Sequence, residues 1–252
     1  MVKKKKTNNK SNFGFIEVDT EEKPKLVNEV FDNVSEYYDL MNDLLSFGAH
    51  RLWKRLAVEL SSIREDFKVL DIAGGTGDIT KLISSKIGEG GQLILSDFNK
   101  KMLLEGRNRL LDSGINNVSY AQINAQYLPF NDDSFDLVTV AFGLRNFAEK
   151  EIALESIYNS LKPKGSLMVL EFSKPQNEVF KELYDLYSFE VMPIIGNLIT
   201  KSSESYRYLA ESIRMHPDQD ELKALFEETG FTNCSYENLF NGIVAIHRGF
   251  KE

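Results

Sequence analysis

The chain has 252 residues, a formal net charge of −8, 42% hydrophobic residues and 27% charged residues. This balance is typical of a soluble globular protein of one or two domains, and the negative charge argues against general nucleic-acid binding, which needs a basic face. The single cysteine, Cys234, and three widely spaced histidines offer neither an internal disulfide nor a metal-ligand cluster, so we expect no metal site.

The first twelve residues are rich in lysine and asparagine and lack the apolar core of a signal peptide. We expect residues 1–12 to be a disordered tail and residues 13–252 to form a single domain. The lysines at positions 3–6 leave a second interpretation open, in which the tail is a weak anchor for an anionic membrane surface.

Two predicted helices, over residues 25–45 and 53–60, precede a regular alternation of strands and helices. The predicted strands cover residues 69–72, 92–96, 118–123, 135–141, 166–172, 233–239 and 242–248. Apolar runs that do not alternate with polar residues indicate strands buried on both faces, as in a parallel sheet. Asn241-Gly242 is a hairpin signal, which predicts that the last two strands are antiparallel. The pattern predicts an α/β fold with a seven-stranded sheet.

The segment VLDIAGGTGDIT, residues 69–80, is the most informative stretch of the chain. It predicts a buried strand, a glycine turn and a helix whose unpaired N–H groups can receive a polar ligand. A dinucleotide fingerprint would place its third glycine where Thr80 stands. The remaining pattern, Asp-x-(Gly/Ala)-x-Gly-x-Gly with Ala73 in the first glycine position, is that of S-adenosylmethionine (SAM) methyltransferases. An ordinary tight turn is the alternative.

Asp97 closes the second strand, roughly 20 residues beyond the glycine turn, where an acid is placed to accept both ribose hydroxyls of a nucleoside. A carboxylate suits this role because it has two acceptor oxygens and no donor. NAD and SAM both contain ribose, so Asp97 alone does not separate them, and a helix N-cap is the structural alternative.

Residues 173–220 follow the fifth predicted strand, interrupt the alternation and are rich in aromatic side chains. Open α/β sheets bind ligands beyond the carboxyl ends of their strands. We interpret this helical insertion as a lid with an apolar pocket for a methyl acceptor. A helical pair packed over the sheet edge is the alternative, and the two can coexist.

With these residues in place, the chain resembles the ubiquinone/menaquinone biosynthesis C-methyltransferase family. The matching segments are VLDIAGGTGDIT, NAQYLPF, FDLVTVAFGLRN, LKPKGSLMVLEFSKP, YDLYSFEVMPIIG, SYRYLAESIRMHPDQ and GIVAIHRGFK. FGLRN and SYRYLAESIRMHPDQ are far more specific than the glycine turn, because general SAM-binding folds do not require them. The resemblance implies a Rossmann-like, seven-stranded class I SAM-dependent methyltransferase fold. It also implies methyl transfer from SAM to a ring carbon of a polyprenyl benzoquinol, of demethylmenaquinol, or of both.

The resemblance carries the cofactor site over residue by residue. The predicted SAM-binding residues are Gly75, Thr76, Asp97, Asn124, Ala125 and Ala141. Thr76 matches the glycine-loop contact, Asp97 the ribose acceptor, and Asn124 with Ala125 the adenine side. Ala141 stands where the family commonly has serine. Either a hydroxyl contact with SAM is therefore lost at this position, or only the backbone of Ala141 contacts SAM.

A quinol carbon becomes a strong nucleophile when the adjacent hydroxyl loses its proton. We predict that Arg145 holds the phenolate oxygen or lowers its pKa, since a guanidinium stays protonated, and that Asn146 orients water or the ring. His216 is the predicted titrating base. The alternatives are a structural salt bridge for Arg145 and loop capping for His216.

Tyr206, Arg207 and Tyr208 are predicted to line the acceptor pocket, with helix packing as the alternative for the tyrosines. The expected partners are a prenylated quinol, a peripheral membrane contact and a quinone-biosynthesis complex, with no nucleic acid. We expect a cytoplasmic enzyme, peripheral to the inner face of the membrane. Two other functions stay open at this point, which are methylation of another small phenolic or lipid acceptor and a non-catalytic scaffold.

Overall fold

The computed structural model describes residues 10–34, 42, 43, 46, 48–177, 182, 186, 190, 194 and 203–252. The description begins with an antiparallel hairpin of β1 (Lys10–Phe13) and β2 (Ile16–Asp19), which turns at Gly14 with a φ of +60°. The predicted boundary of the tail at residue 12 is therefore wrong, because residues 10–12 pair with β2 through their backbone. Residues 1–9 lie outside the described part of the chain.

The remaining elements follow in the predicted alternation. They are α1 (Lys23–Val34), α2 (Ala49–Leu60), β3 (Lys68–Ile72), α3 (Asp78–Ser84), β4 (Gln92–Asp97), α4 (Lys100–Asp112), β5 (Val118–Gln122), β6 (Phe135–Ala141), α5 (Lys150–Ser160), β7 (Leu161–Phe172), α6 (Ser203–Arg214), α7 (Gln219–Thr229), β8 (Thr232–Leu239) and β9 (Val244–Phe250). Short 3-10 turns follow β6 at Leu144–Asn146 and β8 at Phe240–Gly242. The predicted lid is described only at residues 173–177, at the isolated positions 182, 186, 190 and 194, and at 203–220.

The seven main strands form one sheet in the order β5-β4-β3-β6-β7-β9-β8. The pairs from β5 to β7 are parallel, and β9 is antiparallel to both of its neighbours. One hydrophobic core lies on each face, so the central strands are buried on both sides and carry continuous apolar runs. The predicted α/β, Rossmann-like, seven-stranded fold is confirmed.

The strand order places the site. The chain starts the sheet at β3 and builds outward to β4 and β5, then returns to add β6 on the other side of β3. This reversal leaves a crevice beyond the carboxyl ends of β3, β4 and β6, where open parallel sheets bind their ligands.

Candidate active site

A cleft opens at this reversal point, with about 810 Å³ of space between protein atoms when the open solvent at its mouth is included. Its walls come from the glycine turn after β3, the end of β4, the loop after β5, the turn after β6, and one face of α1. Five predicted site residues line it, which are Gly75, Asp97, Asn124, Ala125 and Asn146.

The glycine turn that forms the floor depends on unusual backbone angles. Ala73, Gly75 and Gly77 have φ values of +52°, +53° and +84°, a region that costs a residue with a Cβ free energy. A Cβ on Gly143 would lie 2.6 Å from the Ala73 Cβ, so a glycine after β6 lets the two turns approach closely. The strained turn is the kind of feature that concentrates at ligand sites.

Asp71 holds this turn in place from below. Its carboxylate is fully buried and accepts hydrogen bonds of 2.7 Å from the hydroxyls of Thr80 and Thr139, which joins β3 to α3 and β6. Burial raises the pKa of Asp71 to about 6, and the two hydroxyls oppose that shift. Thr80, at the position where a dinucleotide fingerprint has glycine, therefore has a structural role.

Asp97 lies at the end of β4 and faces the cleft. One carboxylate oxygen accepts from the Gly75 N–H at 2.9 Å and the other from the Asn99 N–H at 2.8 Å. The Phe98 backbone is a third donor to this carboxylate. Together the three donors orient the group beside the cleft, where its oxygens can accept from ligand hydroxyls. Burial raises the pKa of Asp97 to about 6. The alternative of Asp97 as a helix cap is wrong, because Asn99 is the N-cap of α4.

The loop after β5 forms the neighbouring wall. The Asn124 side-chain oxygen accepts from the Gln126 N–H at 3.0 Å, which fixes the amide beside the cleft. Ala125 is buried and also packs into the hydrophobic core. An oriented amide next to apolar surface matches what a purine ring requires, a donor and an acceptor at the edge and apolar contact on the faces.

Two predicted cofactor residues do not line the cleft. Thr76 is buried in the glycine turn, and its carbonyl accepts from Arg109 at 3.0 Å. Ala141 packs against the core at the end of β6. Phe142 and Gly143, the next residues after Ala141, reach the cleft instead.

Asn146 is the polar residue that the 3-10 turn after β6 presents to the cleft. Its side-chain oxygen accepts a hydrogen bond of 2.9 Å from the hydroxyl of Tyr208 on α6. Because the oxygen is engaged, the amide NH₂ is left to donate elsewhere. Tyr208 stacks on Phe13 of the β1–β2 hairpin with ring centroids 4.3 Å apart. Tyr208 therefore reaches the site through Asn146, and it is not among the cleft-lining residues.

Arg145 is not among the residues that line the cleft. Its side chain is 5% exposed and pairs at 2.9 Å with Glu171, which is 1% exposed. The guanidinium also donates to the Phe142 carbonyl and lies over the Phe172 ring at 5.6 Å. The backbone N–H of Arg145 donates to the second carboxylate oxygen of Glu171 at 3.2 Å. This is the buried salt bridge that the sequence leaves as the alternative, and it fixes the turn that carries Asn146.

Three further predicted residues lie outside the cleft wall. His216 is 3% exposed, and its ring nitrogens have no hydrogen-bond partner among the described residues. Burial, with Lys150 and Arg145 nearby, holds the pKa of His216 well below its usual value. Tyr206 is buried, and Arg207 is exposed and pairs with Glu211 at 2.8 Å. Their placement argues against direct contact of His216 and Arg207 with a ligand in this cleft.

The sequence does not single out the wall formed by α1. Pro24, Val27, Asn28 and Phe31 line the cleft, and their spacing of three, four and seven residues puts them on one helix face. Asn99 holds this helix through its side-chain NH₂, which donates to Asn28 and Asp32 at 2.9 Å. The helical spacing was visible in the sequence, but nothing in it distinguished a face that covers a ligand from one that covers a core.

The donor set of the cleft fits SAM. An oriented carboxylate suits the ribose hydroxyls, a fixed amide and apolar walls suit the adenine, and a glycine turn lets the backbone approach the ligand closely. Among the described residues, no group of three or more metal-ligating side chains accompanies these features.

Known proteins resemble this chain over almost its whole length. Residues 17–251 match the ubiE/COQ5 methyltransferase family. The chain is 54% identical over 244 residues to the ubiquinone/menaquinone biosynthesis C-methyltransferase UbiE of Methylococcus capsulatus, covering 96% of this chain and 98% of the relative. It is 55% identical to the protein of the same name from Yersinia enterocolitica, with 96% of both chains covered.

Solved structures show the same architecture. A SAM-dependent methyltransferase from Thermotoga maritima has a TM-score of 0.63 at 18% identity and covers 89% of this chain and 99% of its own. A SAM-dependent methyltransferase from Aquifex aeolicus has a TM-score of 0.59 at 16% identity, with 79% and 89% covered. At such identities the likeness concerns the fold alone.

The fold is that of a class I SAM-dependent methyltransferase. Within that class, the chain belongs to the ubiE/COQ5 methyltransferase family. It is an enzyme that transfers a methyl group and uses SAM as its cofactor. None of its described helices has the length and apolar character needed to cross a bilayer.

Proposed function

We propose that this chain methylates a ring carbon of a prenylated quinol, either a benzoquinol or demethylmenaquinol. The observation that carries the proposal is the 54–55% identity, over about 96% of the chain, to relatives named ubiquinone/menaquinone biosynthesis C-methyltransferases. The cleft supports it, because an oriented carboxylate and amide lie beside apolar walls that suit an aromatic acceptor.

SAM supplies an activated methyl group, so the chain mainly has to align the acceptor and stabilise its charge. Asp97 and Asn124 bind the nucleoside, and Gly75 lets the backbone come close to it. Ala125 contributes apolar surface to the cleft wall, and Thr76 and Ala141 support the turns from outside it. Asn146, whose NH₂ is free of the contact with Tyr208, donates to the acceptor oxygen and favours the phenolate that makes the neighbouring carbon nucleophilic.

Arg145 acts in this proposal as a positioning residue. Glu171 neutralises its charge, and the two groups together anchor the turn from Phe142 to Asn146. A direct hold on the phenolate by Arg145 would require this buried pair to break, which is costly. His216 has no place in the cleft wall, so we do not assign it the proton transfer.

The acceptor pocket is completed by the insertion at residues 173–220, which we propose as the lid of a single domain. Tyr206 and Arg207 belong to this lid on α6. We further propose a cytoplasmic enzyme that contacts the inner face of the membrane peripherally through residues 180–199, a segment almost wholly outside the described residues, and that joins a quinone-biosynthesis complex. The membrane contact is supported by the acceptor's chemistry: a long prenyl tail stays in lipid, so the enzyme has to meet the quinol ring at the membrane surface.

The proposal is tested with purified enzyme, SAM and two reduced acceptors of equal prenyl length, one benzoquinol and one naphthoquinol. Formation of S-adenosylhomocysteine with at least one acceptor, matched by the methylated quinol in mass spectra, supports it. Turnover of a simple phenol or a sterol with neither quinol methylated would contradict it. Binding of SAM without turnover of any acceptor would indicate a scaffold.

A further inference from the structure

Helix α1 is tied to two opposite rims of the cleft. At its first residue, the Lys23 Nζ donates to the Phe147 carbonyl in the turn after β6, at 3.0 Å. Further along the helix, Asn28 and Asp32 accept from the side-chain NH₂ of Asn99, just beyond β4, at 2.9 Å. The helical residues between these contacts extend about 8–14 Å, which matches about 10 Å for two strand spacings. Because β6 and β4 flank β3 on opposite sides, α1 spans the carboxyl end of β3.

The face of α1 that lines the cleft is largely apolar. It carries Pro24, Val27 and Phe31, of which the last two are half-buried and belong to neither hydrophobic core of the described residues. Asp97 and Asn124 line the same cleft from the ends of β4 and β5. A nucleoside bound to these two polar side chains therefore lies against the apolar face of α1.

Asn99 connects this helix to the carboxylate that is placed for the ribose. Its backbone N–H donates to one oxygen of Asp97 at 2.8 Å, while its side-chain NH₂ donates to Asn28 and Asp32. Its side-chain oxygen accepts from the Met102 N–H and caps α4. The carboxylate on one side and the N–H on the other fix the orientation of this amide. A displacement of α1 therefore breaks contacts of the same residue that orients Asp97.

The other end of α1 is held by a buried cation. Lys23 is 2% exposed and has no carboxylate partner among the described residues. Burial, with Lys150 nearby, lowers the pKa of Lys23 to about 7. Burying an ammonium group without a counter-charge costs free energy, so the contact with Phe147 is kept at the expense of stability. Ser11 holds the next residue of the same turn, donating to the Ala148 carbonyl at 2.8 Å.

We propose that α1 is a cover over the SAM cleft, and that Asn99 and Lys23 hold it closed on the bound cofactor. Asn99 is the positioning residue that ties closure of α1 to ribose binding by Asp97, and Lys23 fixes the opposite end of the helix. SAM, and S-adenosylhomocysteine after methyl transfer, leave only after these contacts open. The proposal rests on the cofactor site of the proposed function and adds to it a step that limits release.

The test measures how fast labelled SAM leaves the enzyme when it is chased with an excess of unlabelled SAM. Asn99→Asp keeps the capping oxygen and the backbone N–H to Asp97, but it places a carboxylate oxygen against that of Asp32. We expect it to raise the dissociation rate about tenfold or more, since hydrogen bonds that hold α1 are lost. Asn108→Asp adds the same charge at an exposed position of α4 and should leave the rate as in the wild type.

Two further variants separate a cover from a merely structural role. Adding Asp32→Asn to Asn99→Asp exchanges donor and acceptor across the same contact, and it should restore slow release of SAM. Lys23→Met keeps an unbranched stem in the buried position and removes the charge. It should therefore leave the melting temperature of the ligand-free enzyme no lower than that of the wild type, yet it should speed SAM release.

Hydrogen exchange of the backbone amides of α1 measures the cover directly. SAM should protect these amides in the wild type and protect them less in Asn99→Asp. A wild-type release rate in Asn99→Asp or in Lys23→Met, or exchange in α1 that does not respond to SAM, would overturn the proposal. A wild-type enzyme that does not bind SAM would instead overturn the cofactor site itself, and that result is known before any variant is measured.

Discussion

The hydrogen bond from Tyr208 to Asn146 gives the sharpest prediction about positioning. Tyr208→Phe removes one hydroxyl and keeps the ring that stacks on Phe13. Burial raises the pKa of Tyr208, so the hydroxyl donates across the whole working pH range. A typical hydrogen bond contributes about 0.5–1.5 kcal/mol, and without it the Asn146 amide can rotate and offer its oxygen to the acceptor.

We expect Tyr208→Phe to lower kcat roughly threefold to tenfold, the equivalent of that bond, while KM for SAM changes little. The matched control is Tyr120→Phe, because the Tyr120 hydroxyl is buried and has no hydrogen-bond partner among the described residues. Steady-state kinetics with saturating acceptor measures both. The positioning role would be refuted if Tyr208→Phe had the same kcat as Tyr120→Phe. It would also be refuted if Tyr208→Phe lost as much affinity for SAM as it lost in kcat.

Three other changes test the site and its supports. Asp97→Ala should weaken SAM binding about a hundredfold or more by titration calorimetry, because charge-assisted bonds to two hydroxyls are lost; binding within threefold of wild type would contradict this. Glu171→Gln should lower the free energy of unfolding by about 3 kcal/mol, since it leaves Arg145 buried without its counter-charge, and an unchanged denaturation midpoint would show otherwise. The pKa of Asp71 is raised to about 6, so its contribution to the free energy of unfolding is present below about pH 4 and is lost as pH rises to about 6. Asp71→Asn should therefore make the free energy of unfolding less dependent on pH between those values. The same pH dependence in the variant as in the wild type would count against this.

The strands of the main sheet could be predicted because burial on both faces leaves a direct mark on the sequence. The segment FDLVTVA became β6, and the turn residues around Gly75 and Asp97 were recognisable because their chemistry needs particular residue types. The β1–β2 hairpin was missed because each strand has only four residues: β1 carries a single apolar side chain, and the alternation in β2, IEVD, is too short to stand out.

The roles of Arg145 and His216 could not be settled from the sequence for a different reason. Whether an arginine binds substrate or forms a salt bridge depends on its neighbours, and Glu171 lies 26 residues away in the chain. His216 was an attractive base by its ordinary pKa, but burial beside other cations changes that pKa. Both questions concern tertiary contacts, which local pattern does not encode.

The central claim concerns which atom receives the methyl group. The most direct measurement is to supply SAM labelled at the methyl carbon, together with a reduced prenylated quinol, and to locate the label in the product by NMR. We predict that the label appears on a ring carbon of the quinol, and that Asp97→Ala abolishes its transfer. Label on a quinol oxygen, or full SAM binding with no label in any quinol, would contradict the assignment of this chain as a quinol C-methyltransferase.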